Sequence, residues 1–484
     1  MSENKKSLKL NFIMNAILTM SSFIFPLISF PYVSRVLLED GTGRVSFATA
    51  LISYFLMFAQ LGIPTYGVRA CAKVRDDRRE LSRTAQELLI INLVMSAIAY
   101  VALFGALIFV PRLREDRVLY LVVSLTILFN AIGMEWLYKA LEQYTYIAVR
   151  SVIFKAVAVV AMFLLVHKQE DYTIYGGITI LAASASNIMN FFHARKYITL
   201  RPLGGYRFAR HFKAVAIFFA MACASTVYTN LDVVMLGFMD DAGAVGYYNA
   251  AVRIKSILVS IVTSLGAVLL PRASYYVQNG QMEEFRKITR KALNFVVVAA
   301  LPMVVYFIFF APQGIFLLSG SRFAGAIMPM RLIMPTVLFI GLSNVLGIQI
   351  LVPTGREKVV LWSIVSGAAV DLVLNILWIP AFGPSGAAAA TSVAEFVVLA
   401  VQFIVLGKEA RVAFRQVRIF RVLLGLALAC AAAFWVPVLG LGNFMTLAIS
   451  FVLFAGIYVA ALLLLKEPLT WEIFGRFFRK LKRE

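Results

Sequence analysis

Charge is sparse in this sequence. Asp, Glu, Lys and Arg make up 15% of its 484 residues, and acidic residues are the scarcer, 25 against 46 basic. A soluble domain carries about a quarter charged residues, so most of this chain is not covered by water. Cysteine and histidine are rarer still, three of each. Cys71, Cys223 and Cys430 share no close spacing, which excludes a disulfide framework and a cysteine metal site; His167, His193 and His211 are as scattered. No glycine-rich loop ends in Gly-Lys-Ser or Gly-Lys-Thr, so hydrolysis of a nucleoside triphosphate by that route is excluded. No long loop gathers His, Asp and Glu into an acid/base site, and no enzyme activity is expected.

What fills the chain instead is apolar. Hydrophobic residues are 61% of it, and fourteen stretches are long enough to cross the roughly 30 Å hydrocarbon core of a bilayer as helices of roughly 20 residues. They run near 10–34, 46–66, 88–110, 118–137, 147–166, 174–193, 214–237, 246–270, 292–311, 326–350, 359–379, 385–406, 422–440 and 444–465. With the N-terminus inside, the inner segments hold 35 Lys and Arg and the outer loops 8, a bias that predicts both termini in the cytoplasm. Lys5, Lys6 and Lys9 lead into a full-length span without a small-residue cleavage site, so the first helix is expected to stay. Basic residues spread over many loops of one membrane face do not predict nucleic-acid binding; the tail from Arg476 to Arg483 is expected on the anionic inner leaflet.

The chain repeats itself. Glu39-Asp40-Gly41 closes the first span and Asp240-Asp241-Ala242-Gly243 the seventh; Glu80-Leu81-Ser82-Arg83 is echoed by Glu283-Glu284-Phe285-Arg286. The expected fold is therefore an all-α integral membrane protein with two six-helix lobes related by pseudo-symmetry and an appended two-helix hairpin. Its parts are an N-lobe over 1–193, a basic cytoplasmic hinge loop over 194–213, a C-lobe over 214–406, the hairpin over 407–465 and a basic tail over 466–484. Pro26, Pro302 and Pro335 offer kinks within spans.

Polar residues at helical spacing mark faces turned from lipid. Asn11, Asn15, Thr19, Ser22 and Ser29 form such a stripe on the first span, Ser46, Thr49, Ser53 and Gln60 on the second, Ser225, Thr229 and Asp232 on the seventh, and Asn249, Arg253, Ser256, Ser260 and Thr263 on the eighth. Packing of Ser and Thr between helices explains one stripe; four in paired repeat positions predict a polar central cavity. Lys155, Asp232, Arg253, Lys255, Asp371 and Glu395 are charges expected near mid-membrane, each costing about 2.5–3.5 kcal/mol unless paired. Arg253 and Lys255 point about 200° apart on a helix, and the stripe selects Arg253 for the cavity. A structural ion-pair network accounts for such charges as well. Asp371 and Asn375, with Ser363 and Gly367, share one helix face; Glu395 follows Thr391 by one turn. With Asp232 and Glu135 these carboxylates are the candidates for ion coupling or gating.

Three segments resemble the polysaccharide-transporter flippases of the Wzx type. They are Tyr32-Val33-Ser34-Arg35-Val36-Leu37 with Leu61-Gly62-Ile63 and Tyr66-Gly67-Val68-Arg69, then Gly246-Tyr247-Tyr248-Asn249-Ala250-Ala251, then Asn375 to Pro380 with Gly386 to Thr391. Thr42 departs from the family's Gly-x-Gly turn, where relatives often carry an aromatic or acidic residue. The resemblance implies the fold shared with multidrug-extrusion transporters and the lipid II flippase, and transfer of a polyprenyl-pyrophosphate-linked oligosaccharide from the inner to the outer leaflet of a bacterial cytoplasmic membrane. It implies Arg253 and Arg35 as cations for the pyrophosphate, with Asn249, Asn15, Ser256, Gln60, Lys255 and Lys155 as further substrate contacts. The expected partners are that substrate, membrane lipid, and the polymerase and chain-length machinery of polysaccharide assembly. No cofactor or metal is expected beyond coupling to an H+ or Na+ gradient or the membrane potential, and a monomer is expected. Two other functions fit such a chain: a cation-drug antiporter, which favours a carboxylate-rich aromatic cavity, and a non-transporting scaffold of a glycan-assembly complex.

Overall fold

The computed structural model describes residues 8–415 and 418–472, so the basic stretch 476–483, Lys5, Lys6 and the side chains of Lys9 and Asn11 lie outside the described residues. The described residues are helical, without a strand. In hydrocarbon the backbone must satisfy its own N–H and C=O groups, and a helix does so within one segment. Among the described residues nine helices are long and apolar enough to cross a bilayer, or ten if the bent pair Ser321–Ile333 and Pro335–Leu351 is one span. Leu8–Gln60 and Glu357–Leu406 are 53 and 50 residues long, about two spans each, and each is interrupted by one residue of positive φ: Leu38 (57°) and Gly383 (52°). Arg117–Gly133 has 17 residues, and Tyr172–Ile180 runs into a π turn at Leu181–Ala185. The nine or ten membrane-length helices among the described residues are fewer than the fourteen expected stretches, and two of them are long enough to hold two stretches each.

The sequence places an outer turn at Glu39-Asp40-Gly41, and the structure corrects this. Leu38 alone makes the bend, and residues 39–43 are already helical. Thr42 Oγ1 donates to the carbonyls of Leu38 at 2.8 Å and Glu39 at 3.1 Å. The repeat-equivalent acidic pair does separate two helices: Asp241 Oδ1 accepts from Ala244 N at 2.7 Å, as an N-cap before the Ala242–Gln278 helix. Glycine brings the two acidic segments together. A Cβ on Gly43 would lie 1.7 Å from the Ala242 carbonyl oxygen, and one on Gly246 would lie 2.1 Å from that of Glu39. Backbone meets backbone there, which a side chain would prevent.

Proline acts as expected at one of the three sites: Pro335 begins a helix bent 40° from the one before it. Pro26 and Pro302 lie inside helices that continue through them.

Packing divides the chain into Met1–Gly246 and Tyr247–Glu484. This boundary falls later than the linker, because the Ala209–Met239 helix packs on Leu8–Gln60 and the linker itself is fastened to the first unit. Gln86 Nε2 donates to the carbonyls of Thr199 (2.6 Å) and Arg201 (2.8 Å), and its Oε1 accepts from Tyr206 Oη at 2.9 Å. Glu87, fully buried, accepts from Arg207 N (2.7 Å), Arg210 Nη2 (2.6 Å) and His211 Nε2 (2.7 Å). The linker has no acid of its own; the Arg78–Phe109 helix supplies it.

In the second unit the two arms of Glu357–Leu406 fold on each other. Gln402 Nε2 donates to Ser363 Oγ at 3.0 Å, and a Cβ on Gly367 would be 2.4 Å from Val398 Cγ2. The helices Ile419–Ala433 and Asn443–Leu464 pair with each other and seat on Met282–Phe309: Tyr306 Oη donates to the Leu447 carbonyl and Tyr458 Oη to that of Val298, both at 2.9 Å.

Candidate functional site

In the first unit the polar chemistry inside the apolar helices centres on Glu135. Its carboxylate takes Lys139 Nζ at 2.8 Å and Arg150 Nη2 at 3.6 Å. The Arg150 side chain is 4% exposed, donates to the Ser186 carbonyl at 3.1 Å and stands over the Tyr146 ring. Five residues further on the Tyr144–Leu165 helix, Lys155 Nζ donates to Ser21 and Ser22 Oγ at 2.9 Å each. Two of its three N–H donors are thereby used. Three cations thus stand near one carboxylate, of which Arg150 is buried while Lys139 and Glu135 are partly exposed. An amide ladder adjoins it: Asn130 bonds Ser184 at 3.1 Å and Asn187 at 3.4 Å, and Asn187 bonds Asn190 at 3.4 Å.

The other expected residues of this unit are not gathered at that point. Asn15 and Arg35 are both exposed on Leu8–Gln60, twenty residues apart, which is roughly 30 Å along a helix. The carbonyl of Asn15 accepts from Thr19 Oγ1 at 2.9 Å, and Arg35 Nη1 donates to the Pro31 carbonyl one turn back. Gln60 ends the same helix, half-buried. Asp232 is buried on Ala209–Met239.

In the second unit, Asn249, Arg253, Lys255 and Ser256 occupy consecutive turns of Ala242–Gln278. The packed side of that helix carries Ala251, Leu258 and Val262, and Lys255 shares it; Arg253 lies beside exposed Ser256. Ser363, Gly367, Asp371 and Asn375 are all buried along one face of the first arm of Glu357–Leu406, while Glu395 and Gln402 are buried on the second arm. These carboxylates stand inside the helix pairing of this unit.

Sequence reasoning missed Arg150, although it falls inside the expected span 147–166, and Glu87. It also missed a junction at Arg44, whose guanidinium binds Asp40 (2.8 Å) and Asp116 (2.9 Å) while Tyr172 Oη donates to Asp116 at 2.8 Å. Beside them Arg112 donates to the carbonyls of Gly237 and Asp240, both at 3.2 Å, around a hollow of about 100 Å³. An acid just inside an apolar run, as at Gln86-Glu87-Leu88-Leu89, is the available local signal; the partners of Arg150 and Glu87, 15 to 124 residues away, leave no local pattern.

Known proteins can now be compared. The family model for polysaccharide biosynthesis proteins matches residues 8–277, and the MatE model matches 216–377. A protein of Escherichia coli (strain K12) named "Putative O-antigen transporter" is 23% identical over 390 residues, covering 80% of this chain and 94% of that protein. A Shigella dysenteriae protein of the same name is 22% identical over 76% of this chain and 91% of its own. Among solved structures, that of the lipid II flippase MurJ in an inward closed conformation superposes with a TM-score of 0.71 at 16% identity, covering 93% of this chain and 97% of that one. An outward-facing multidrug resistance MATE transporter superposes at 0.56 and 13% identity. At such identities the two structures show a shared fold. The matches bear out the resemblance read from the three segments, and the chain is a multi-pass membrane protein that belongs to the polysaccharide biosynthesis protein family.

Proposed function

We propose that the chain moves a polyprenyl-pyrophosphate-linked oligosaccharide from the cytoplasmic to the outer leaflet for surface polysaccharide assembly. The observation that carries this reading is the family match over 8–277 together with O-antigen transporter relatives aligned over most of their length. Physical chemistry supports it. A pyrophosphate diester carries about two negative charges and cannot cross hydrocarbon bare. Cations within apolar helices, Arg150 and Lys155 in one unit and Arg253 and Lys255 in the other, are costly there and acquire a purpose if an anion passes. Arg253 is the proposed pyrophosphate contact, through the two-pronged geometry that a guanidinium offers. Arg35, Lys155 and Lys255 are the supporting cations, and Asn249, Asn15, Ser256 and Gln60 the sugar contacts. Asp232, Asp371, Glu395 and Glu135 are proposed to couple transport to H+, Na+ or the membrane potential, or to gate it. Alternating access through a cationic central cavity, a bacterial inner-membrane location with both termini inside, a monomeric state, and work beside a polysaccharide polymerase complete the reading.

The MatE match over 216–377, which contains Asp371, supports the cation-drug antiporter as a second reading. Vesicles reconstituted with the protein separate the two. Inward-to-outward transfer of a labelled lipid-linked oligosaccharide supports the flippase, and gradient-driven uptake of a cationic dye without such transfer supports the antiporter.

A further inference from the structure

The second unit carries a basic site away from the residues proposed for transport. Three connections meet there: the start of Met282–Phe309, the segment from Ile350 to Arg356, and the Lys408–Arg415 helix. They enclose a hollow of about 370 Å³ walled by Arg286, Arg290, Arg356 and Lys408, with Phe285 and Ile350 in its lining. A second hollow of about 480 Å³ adjoins it and is lined by Arg290 again, Lys291, Arg415 and Arg418. The carboxylates in these linings are already engaged: Glu409 binds Arg356 and Glu472 binds Lys291, both at 2.8 Å. Arg286, Arg290, Lys408, Arg415 and Arg418 form no ion pair among the described residues. Arg290, half-buried, stands in both linings, so one guanidinium borders two neighbouring hollows, each large enough for a phosphate group and part of what it is joined to.

Basic bias at a cytoplasmic face explains a surplus of Lys and Arg there. It does not explain their convergence on hollows with apolar lining. Phosphate oxygens match guanidinium forks, and apolar side chains beside them suit the glycerol or isoprenoid end of a lipid. We infer that this is a binding site for a lipid headgroup bearing two phosphates, reached from the inner leaflet. Two lipids share that chemistry, a phospholipid with two phosphatidyl groups and a polyprenyl diphosphate. The site does not depend on the proposed transport function, since either lipid can occupy it whether or not the chain moves one.

Delipidated full-length protein in detergent, titrated with cardiolipin, with a polyprenyl diphosphate, with phosphatidylethanolamine and with inorganic pyrophosphate and followed by native mass spectrometry, tests it. At least one of the first two is expected to bind roughly tenfold tighter than phosphatidylethanolamine and than pyrophosphate, and which one does so identifies the source. The double variant R286A/R290A is expected to lose roughly tenfold or more of that affinity. Lys287→Ala, which removes a neighbouring cation outside both linings, is expected to keep it. Equal losses in the two variants would reduce the effect to general surface charge and overturn the site. Unchanged affinity in R286A/R290A would overturn it too, as would pyrophosphate binding as tightly as the lipids.

Discussion

Arg150 and Glu135 show what a buried charge requires at the scale of one residue. Arg150 lies in an apolar helix with 4% of its side chain exposed and is tolerated because Glu135 and the Ser186 carbonyl meet it. The Glu135 side chain is 35% exposed and keeps Lys139 at 2.8 Å, so losing Arg150 is expected to cost stability, but less than the ~3–5 kcal/mol of a fully buried pair. Arg150→Ala is therefore expected to lower the unfolding temperature and membrane abundance, with partial rescue by Arg150→Lys; equal stability of wild type and alanine variant in detergent would contradict the pairing. Lys155 differs, holding two hydroxyls and no carboxylate within bonding distance among the described residues. Lys155→Ala is expected to reduce transport more than abundance, read as transfer per molecule in vesicles, and a proportional fall of both would make it a structural residue. Lys155, Asp371 and Glu395 were legible in sequence because each interrupts an apolar run. Glu87 sits where a run begins, and its partners Arg210 and His211 lie beyond a hundred residues of chain.

Single residues also shape the elements, and two bends show how: the sequence placed the breaks, and the structure makes each of them at one residue. Leu38 and Gly383 each divide a helix of fifty residues or more, and both fall in the gaps between expected spans, Leu38 beside Glu39-Asp40-Gly41 and Gly383 between Pro380 and Pro384. Periodicity reports a face and is silent about one dihedral. The buried face from Ser363 to Asn375 was legible for the complementary reason: four small or polar residues at four-residue spacing form one line on a helix. Where helices touch backbone to backbone, Gly43→Ala and Gly246→Ala are expected to lower abundance and transport, whereas Gly456→Ala, with open space around it, is not. Similar melting curves for all three would deny the close approach.

The end of the hairpin is a further element held by one acid. Glu467 is fully buried beyond the last span, where burial alone would raise its pKa; hydrogen bonds from Thr470 N (2.7 Å), Thr470 Oγ1 (2.6 Å) and Asn294 Nδ2 (2.6 Å) prevail and hold it below the ordinary range. A depressed folded pKa means stability that is fully present above the unfolded value, about 4.3, and lost as pH falls through the folded one. Glu467→Gln is expected to melt lower at pH 7 and to approach wild type on acidification toward pH 4 and below. A difference that stays constant with pH would contradict the ionised role.

For the whole molecule, the apolar runs were enough to read a multi-pass membrane protein, because bilayer thickness sets their length. The packing units were not legible, since the boundary at Gly246 depends on a linker fastened by Gln86 and Glu87 from another helix. The basic bias predicts the orientation, and the residue to probe it is not Cys71, which is fully buried in the Ile63–Lys73 helix where the sequence suggested a loop. Asp76→Cys, at an exposed position, is expected to react with an impermeant maleimide only after the membrane is opened.

Transfer itself is the central claim, and Arg253 is where it is most exposed to test. In proteoliposomes carrying a fluorescent polyprenyl-pyrophosphate oligosaccharide, the wild-type protein is expected to move label between leaflets, and Arg253→Ala to abolish that movement at equal incorporation. Arg253→Lys is expected to retain part, since charge survives while the fork is lost, and Lys255→Ala to be milder than either. Wild-type rates in Arg253→Ala, at matched protein per vesicle, would contradict the account.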